Sequence, residues 1–229
     1  MDVNEIDRRP IKSREYQWSK RLAHVLATHG WSANFISTLG MLAGILAGIC
    51  FAATQVGWFR IAGFALGALC VQLRLIANML DGMVAIESKT ASPVGELFNE
   101  VPDRVSDAAV LIGCGYACGG NPLLGYWTTI LAIFIAYIRA EGRVAGAPQI
   151  YCGPMAKQHR MLVVTVAALA SACIPITYWI GVPVLPNASW MTVALVIVLV
   201  GELVTVFRRV DKIQRALRIQ SKKETELSE

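Results

Sequence analysis

Charge is scarce in this chain: Asp, Glu, Lys and Arg make up 16% of the 229 residues, against 55% apolar types. A soluble domain carries about a quarter charged residues, so an ordinary soluble fold is excluded. The mean hydropathy of +0.51 agrees with an integral membrane protein. Paired cysteines are missing as well. Six are present, without CxxC spacing; Cys50, Cys70, Cys114, Cys118 and Cys173 lie in apolar runs and Cys152 stands beside Gly153. That excludes a zinc-ribbon pattern or a disulfide-framed secreted module and predicts reduced, packing thiols. No apolar segment lies near Met1, so no signal peptide is expected. The net charge of +5 suits anionic headgroups or phosphate-bearing substrates. Nucleic acid is not expected as a partner, because the basic residues flank apolar spans without interleaved aromatics.

What the chain does have is a series of long apolar segments. Residues 1–30 carry Arg8, Arg9, Lys12, Arg14, Lys20 and Arg21, with Trp18, Leu22, Val25 and Leu26 spaced for one helix face. This predicts an amphipathic juxtamembrane helix lying on the membrane surface. A transmembrane domain over 31–207 follows, with spans near 34–53, 59–82, 101–118, 126–137, 161–180 and 190–207. Ser32 or Asn34 can cap the first span. Gly40, Gly44 and Gly48 form a small-residue stripe along it, and Gly63 and Gly67 a second pair, suited to close helix approach within the bundle or between copies. The tail, 208–229, is basic and then acidic, and fraying is expected beyond Lys222. The expected fold class is an all-α integral membrane protein with six transmembrane helices and an N-terminal amphipathic interfacial helix.

Basic residues decide the orientation. Six lie before the first span, Lys89 and Arg104 between the second and third, Arg139, Arg143, Lys157 and Arg160 between the fourth and fifth, and seven in the tail. Only Arg60 lies on the other side. The positive-inside rule then puts both termini in the cytoplasm. Arg74, inside the second span, must snorkel or pair with an anion in the bundle, and pairing is preferred. Glu202 in the sixth span is expected to pair within the bundle or at a dimer interface. His159 reads as an interfacial residue.

The acids and amides of this apolar chain gather in Ala77–Ala108, ANMLDGMVAIESKTASPVGELFNEVPDRVSDA. Read as helix, loop, helix, it sets Asn78 and Asp81 three apart at the end of one helix. Asn99, Asp103 and Asp107 follow at four-residue steps at the start of the next. Residues three or four apart share a helix face, and two such faces opposed make a cup of oxygen donors for a hard cation, Mg2+ or Mn2+. The competing reading is a polar membrane-exit loop with solvated caps.

Asn78, Asp81, Gly82, Ala85, Gly95, Asn99 and Asp103 fall on the spacing of the CDP-alcohol phosphatidyltransferase signature, Asp-x2-Asp-Gly-x2-Ala-Arg-x8-Gly-x3-Asp-x3-Asp, which joins the second and third of six transmembrane helices. The entry Trp31-Ser32-Ala33-Asn34-Phe35-Ile36-Ser37 is similar too. The chain departs from the signature at Asn78 and Asn99, in place of its first and third aspartates, and at Ile86, in place of its arginine. In this it resembles a bacterial branch of the family in which these asparagines accompany an Asn-Glu and a Ser-Asp, here Asn99-Glu100 and Ser106-Asp107. An asparagine carbonyl ligates a hard cation without adding charge, so Asp107, Glu96 or Glu100 would have to supply it.

The resemblance implies a transferase of phospholipid synthesis in the bacterial inner membrane. It would move a phosphatidyl group from CDP-diacylglycerol, or another CDP-lipid, to a small alcohol such as the polyol phosphate glycerol 3-phosphate, releasing CMP. It implies Mg2+ or Mn2+ held by Asn78, Asp81, Asn99 and Asp103, with Asp107 a further candidate. Asp103 is implied as the catalytic base and a homodimer as the assembly. Gly82, Ala85 and Gly95 would leave room for the nucleotide, with ordinary helix packing the competing explanation. Arg139, Arg143, Lys157 and Arg160 would bind the phosphate of an acceptor such as glycerol 3-phosphate or an inositol phosphate, although positive-inside bias alone puts basic residues there. The asparagines leave a second reading open: a weakened pseudoenzyme that binds a CDP-lipid or a partner without turnover. A transporter is disfavoured, because the polar cluster sits at helix ends and not near the midplane.

Overall fold

The structure, a computed structural model, describes residues 16–90, 93–174, 180–182 and 185–228. Seven α-helices account for most of them: α1 (Gln17–Thr28), α2 (Ala33–Ala53), α3 (Arg60–Glu87), α4 (Pro93–Gly115), α5 (Pro122–Val144), α6 (Lys157–Cys173) and α7 (Trp190–Ser228). A 3-10 turn, Gly57–Phe59, leads into α3, and an antiparallel two-stranded ribbon of β1 (Ile180–Val182) and β2 (Leu185–Ala188) precedes α7. Four segments are long and apolar enough to cross a membrane: Ala33–Ala53, Gly57–Glu87, Pro122–Val144 and Trp190–Ser221. Of the two remaining bundle helices, α4 carries its acids in the first turns and α6 has 17 residues.

Local chemistry sets the helix ends. Ser32 caps α2, its hydroxyl accepting from Phe35 N at 3.2 Å. Asn121 caps α5 by accepting from Leu124 N, with Pro122 at the first helical position. Gly119 in the preceding turn takes φ +71°, a left-handed conformation that favours glycine. Beyond Phe207 nothing breaks α7: residues 208–228 contain neither Gly nor Pro, so the helix runs on through the tail.

In lipid the hydrophobic effect does not drive helices together, and close packing and interhelical hydrogen bonds take its place. The glycine stripe of α2 serves this purpose within the chain. A Cβ at Gly40 would meet Ala77 at 3.0 Å, one at Gly44 would meet Ser106 Cβ at 2.5 Å, and Gly48 abuts the Ala109 backbone. Gly63 is backed by Thr54 and Gly67 by the Phe51 ring. Gln72 Nε2 donates to Thr165 Oγ1 at 2.8 Å between α3 and α6, a bond worth about 0.6 kcal/mol. The main core joins Phe51, Phe64, Val71, Leu111, Met161 and Leu195. A second cluster sets Ala23 of α1 against Ile36, Met79, Leu80 and Val84. Of the expected apolar stripe of α1, Trp18, Leu22 and Val25 stay exposed, whereas Leu26 packs against this second cluster. Arg8, Arg9, Lys12 and Arg14 of the expected amphipathic segment lie outside the described residues.

Candidate functional site

Three helix ends, of α2, α3 and α4, bring the polar donors together. Asn78, on α3, donates from Nδ2 to Asn99 Oδ1 at 3.2 Å and to both carboxylate oxygens of Asp103 at 2.9 and 3.1 Å. One turn along α3, Asp81 is buried. Its Oδ2 accepts from Ser37 of α2 at 2.7 Å, and its Oδ1 lies 2.5 Å from Gly82 N. The opposition of two helix faces expected from the spacing is therefore present. Ser37 stands within the Trp31–Ser37 entry, but its part in holding Asp81 follows only from the way α2 packs on α3.

The donor set is two carboxylates and two amides, and among the described residues no three His, Cys, Asp or Glu side chains form a metal-binding group. An all-oxygen set suits a hard divalent cation. The Lys157 ammonium, from the first turn of α6, is in contact with Asp103 Oδ1, so a positive charge already stands where a cation would meet that carboxylate. The residues fit such an ion.

Asp107 sits elsewhere. It is 1% exposed, with Oδ1 on Arg74 and Oδ2 on Arg160 at 2.9 Å. Both oxygens are thus engaged by guanidinium groups. Arg160 is as deeply buried, and its other arm reaches Glu202 at 3.2 Å. The side chain expected to meet an acceptor phosphate is therefore tied inside the bundle. Arg74 also donates from Nε to Ser106 Oγ at 2.7 Å and from Nη2 to the Asp103 carbonyl at 3.3 Å. A buried chain of ions, Arg74, Asp107, Arg160 and Glu202, thus crosses α3, α4, α6 and α7 beneath the polar cup. The pairing expected of Arg74 and Glu202 is met by partners within the chain.

Nearer the surface, Arg139 of α5 pairs with Glu100 at 2.5 Å and lies 5.5 Å from the Tyr151 ring centroid. Arg104 approaches Glu100 at 3.4 Å and Asp103 at 3.9 Å. Arg143 is exposed in the last turn of α5. The loop before α6 is anchored by Met155 N, which donates to Thr205 Oγ1 at 3.0 Å. Gly153 makes this possible with φ +116°, its missing side chain leaving room for Thr205. His159 is exposed and turned to the Pro154 carbonyl at 2.7 Å, outside the cluster. Arg209, not singled out by the sequence, is buried and donates to the carbonyls of Ile135 and Cys152. Gly82 and Ala85 are half-buried on α3 beside Asp81, and Gly95 lies in the first turn of α4. The side chain of Glu96 lies outside the described residues.

Together these features define a helical membrane protein with a cup of oxygen donors at one end of its bundle. Comparison with known proteins narrows the class. The chain is 28% identical over 203 residues to the phosphatidylinositol phosphate synthase of Streptomyces avermitilis, covering 84% of this chain and 76% of that protein. It is 25% identical over 184 residues to the archaetidylinositol phosphate synthase of Pyrococcus horikoshii, covering 80% and 90%. Its fold is similar to that of Mycobacterium tuberculosis phosphatidylinositol phosphate synthase with CDP-DAG bound, at a TM-score of 0.69 and 20% identity over 86% of this chain and 94% of that one. The same mycobacterial protein has been solved in complex with manganese and citrate. No family model matches the chain. These relatives are synthases that fit the CDP-alcohol phosphatidyltransferase family, in agreement with the resemblance carried by residues 78–103.

Proposed function

We propose that this protein is a divalent-metal-dependent phosphatidyltransferase that moves a phosphatidyl group from CDP-diacylglycerol to a small alcohol and releases CMP. The observation that carries the reading is the convergence of Asn78, Asp81, Asn99 and Asp103 from two helices at one end of the bundle. Asp103 takes the proton of the acceptor hydroxyl. The freed oxygen attacks the lipid-side phosphorus as the bond to the bridging oxygen breaks, and CMP departs with that oxygen. Asn78, donating to both Asp103 oxygens, fixes the carboxylate plane, and Ser37 does the same for Asp81. A Mg2+ or Mn2+ ion held by Asn78, Asp81, Asn99 and Asp103 supplies charge neutralisation for the diphosphate when bound. Gly82, Ala85 and Gly95 line the nucleotide side, and Arg139, Arg143 and Lys157 the acceptor side. The acceptor classes that follow are a polyol and a polyol phosphate such as glycerol 3-phosphate.

The reading includes placement in a bacterial inner membrane, with α2 to α7 all crossing and α1 on the cytoplasmic surface. Exposed apolar side chains such as Leu42, Leu69, Val105, Ile130, Leu169 and Val200 support it, one from each of these helices, together with the one-sided distribution of basic residues. The homodimer implied by the family resemblance would use a face other than the glycine stripes, which are filled from within.

CMP release from CDP-diacylglycerol by the purified protein, with Mn2+ and a panel of alcohols, tests the reaction. Asp103→Asn should lower the rate about 10²- to 10⁴-fold in a variant that still elutes as monodisperse protein in detergent. Full activity in that variant would defeat the assignment of the base. Absence of CMP with every acceptor would leave a binder without turnover.

A further inference from the structure

The cup at the helix ends is short of negative charge. Of the side chains that converge there, Asn78 and Asn99 are neutral, and an amide oxygen ligates a hard cation without neutralising it. The nearby carboxylates that would make up the difference are committed elsewhere. Asp107 is enclosed by Arg74 and Arg160. Glu100 lies 2.5 Å from Arg139 and 3.4 Å from Arg104. Among the described residues no further His, Cys, Asp or Glu joins Asp81 and Asp103 in a metal-binding group. The oxygens of the cup are, moreover, bonded within the chain. Asn78 Nδ2 donates to Asn99 Oδ1 and to both oxygens of Asp103, and Asp81 accepts from the Ser37 hydroxyl and the Gly82 amide. A cation entering without the nucleotide would have to displace the Asn78 bonds and would meet the charge of Asp81 and Asp103 alone.

Building on the transferase reading, we infer that the cup binds its divalent cation and the diphosphate of the CDP-lipid as a coupled pair, each weakly without the other. Asn78 and Asn99 leave to the substrate the charge that carboxylates in their place would bring. Each phosphate of the diphosphate carries a negative charge and unbonded oxygens, and Mg2+ is commonly held by one or two carboxylates together with substrate phosphates. Asn78 keeps the cup in order meanwhile, because without its donated bonds the Asp103 carboxylate and the Asn99 oxygen would face each other as bare acceptors. Such coupling is reciprocal: the ion strengthens nucleotide binding by the factor by which the nucleotide strengthens ion binding. Cleavage of the diphosphate ends it, so that departure of CMP also frees the cation.

Equilibrium dialysis of the full chain in detergent micelles against Mn2+ reads the coupling as excess Mn2+ on the protein side. The arms are Mn2+ alone, Mn2+ with CDP, and Mn2+ with CMP, which lacks the second phosphate. CDP should tighten Mn2+ binding at least about tenfold and CMP far less, and labelled CDP should gain the same factor from Mn2+. Asn99→Asp isolates the charge, because a carboxylate there still accepts from Asn78 Nδ2. That variant should bind Mn2+ alone about tenfold more tightly than the parent and show a smaller effect of CDP. Mn2+ binding that is equal with and without CDP would overturn the inference and leave the transferase reading intact, and this comparison on the parent chain decides even if the variant folds poorly. A well-folded Asn99→Asp that binds Mn2+ as the parent does would overturn it too, since missing charge would not be the cause. CMP release from CDP-diacylglycerol is followed in parallel. Its absence with every alcohol would sink the transferase reading, while coupled binding stands or falls on the dialysis.

Discussion

Asp107 and Asp211 each bind arginine, but burial makes the two bonds unequal. Asp107 is enclosed between Arg74 and Arg160, where a lone guanidinium has no water to turn to. Asp211 meets Arg215 at 3.0 Å in an exposed pair one turn apart on α7. Removing one partner of a buried ion pair costs about 3–5 kcal/mol, most of it the charge left behind. An exposed helical pair contributes about 0.3–0.5 kcal/mol. Asp107→Ala should therefore unfold at a clearly lower temperature in detergent, or fail to accumulate as monodisperse protein, while Asp211→Ala melts with the parent. Equal shifts in the two would mean that the buried chain of ions contributes no more than a surface pair. That Arg74 needs an internal anion is legible from the sequence, because an arginine inside an apolar helix has few other options. Its partner is not. Asp107 continues the four-residue series of Asn99 and Asp103, and only the docking of α6, which carries Arg160, turns it from cup to girder.

Helix-to-helix contact shows the same limit at the next scale. A four-residue glycine period predicts close approach but does not name the approaching helix, and the packing of α2 on α4 and α3 supplies it. Gly48 abuts Ala109 and Gly113, and Gly44 lies against Ser106, whose hydroxyl accepts from Arg74. Gly48→Val should push α2 and α4 apart at a cost of about 1–3 kcal/mol or more. Because α4 carries Asn99 and Asp103, the change should also lower CMP release. Gly57, whose Cβ would meet nothing within 4 Å, is the control, and Gly57→Ala should shift stability by no more than about 0.5 kcal/mol. Melting temperature and size-exclusion profile in detergent read both. The expected end of the last span near Phe207 rests on hydropathy, which marks where a membrane ends and not where a helix does. The fraying expected beyond Lys222 is not what the structure shows, since α7 runs to Ser228. With no Gly or Pro after Gly201 the backbone bonds simply continue, and Ile213 of that extension packs on Gly142 of α5.

For the whole molecule, antiparallel helices place the α3–α4 connection, the α5–α6 loop and the C-terminal part of α7 at one end, and the α2–α3 turn at the other. The fold class and the position of the cup were legible because acids are so rare in this chain that their cluster marks a boundary between apolar core and water. The number of crossings was less so. The 17 residues of α6 rise about 26 Å, slightly less than a hydrocarbon core of about 30 Å, and α4 places its acids where an apolar window would otherwise begin. Crossing number and orientation can be measured together. In a cysteine-free background, Trp58→Cys probes the α2–α3 turn and Val144→Cys the end of α5, both strongly exposed positions. An impermeant maleimide should label Trp58→Cys in intact spheroplasts and Val144→Cys only in inverted vesicles. Labelling of both from one side would contradict the antiparallel crossing, and labelling with the sides exchanged would reverse the orientation. The expected pattern puts the cup on the cytoplasmic face, where a lipid diphosphate at headgroup depth meets a water-soluble alcohol and the nucleotide released can leave into water.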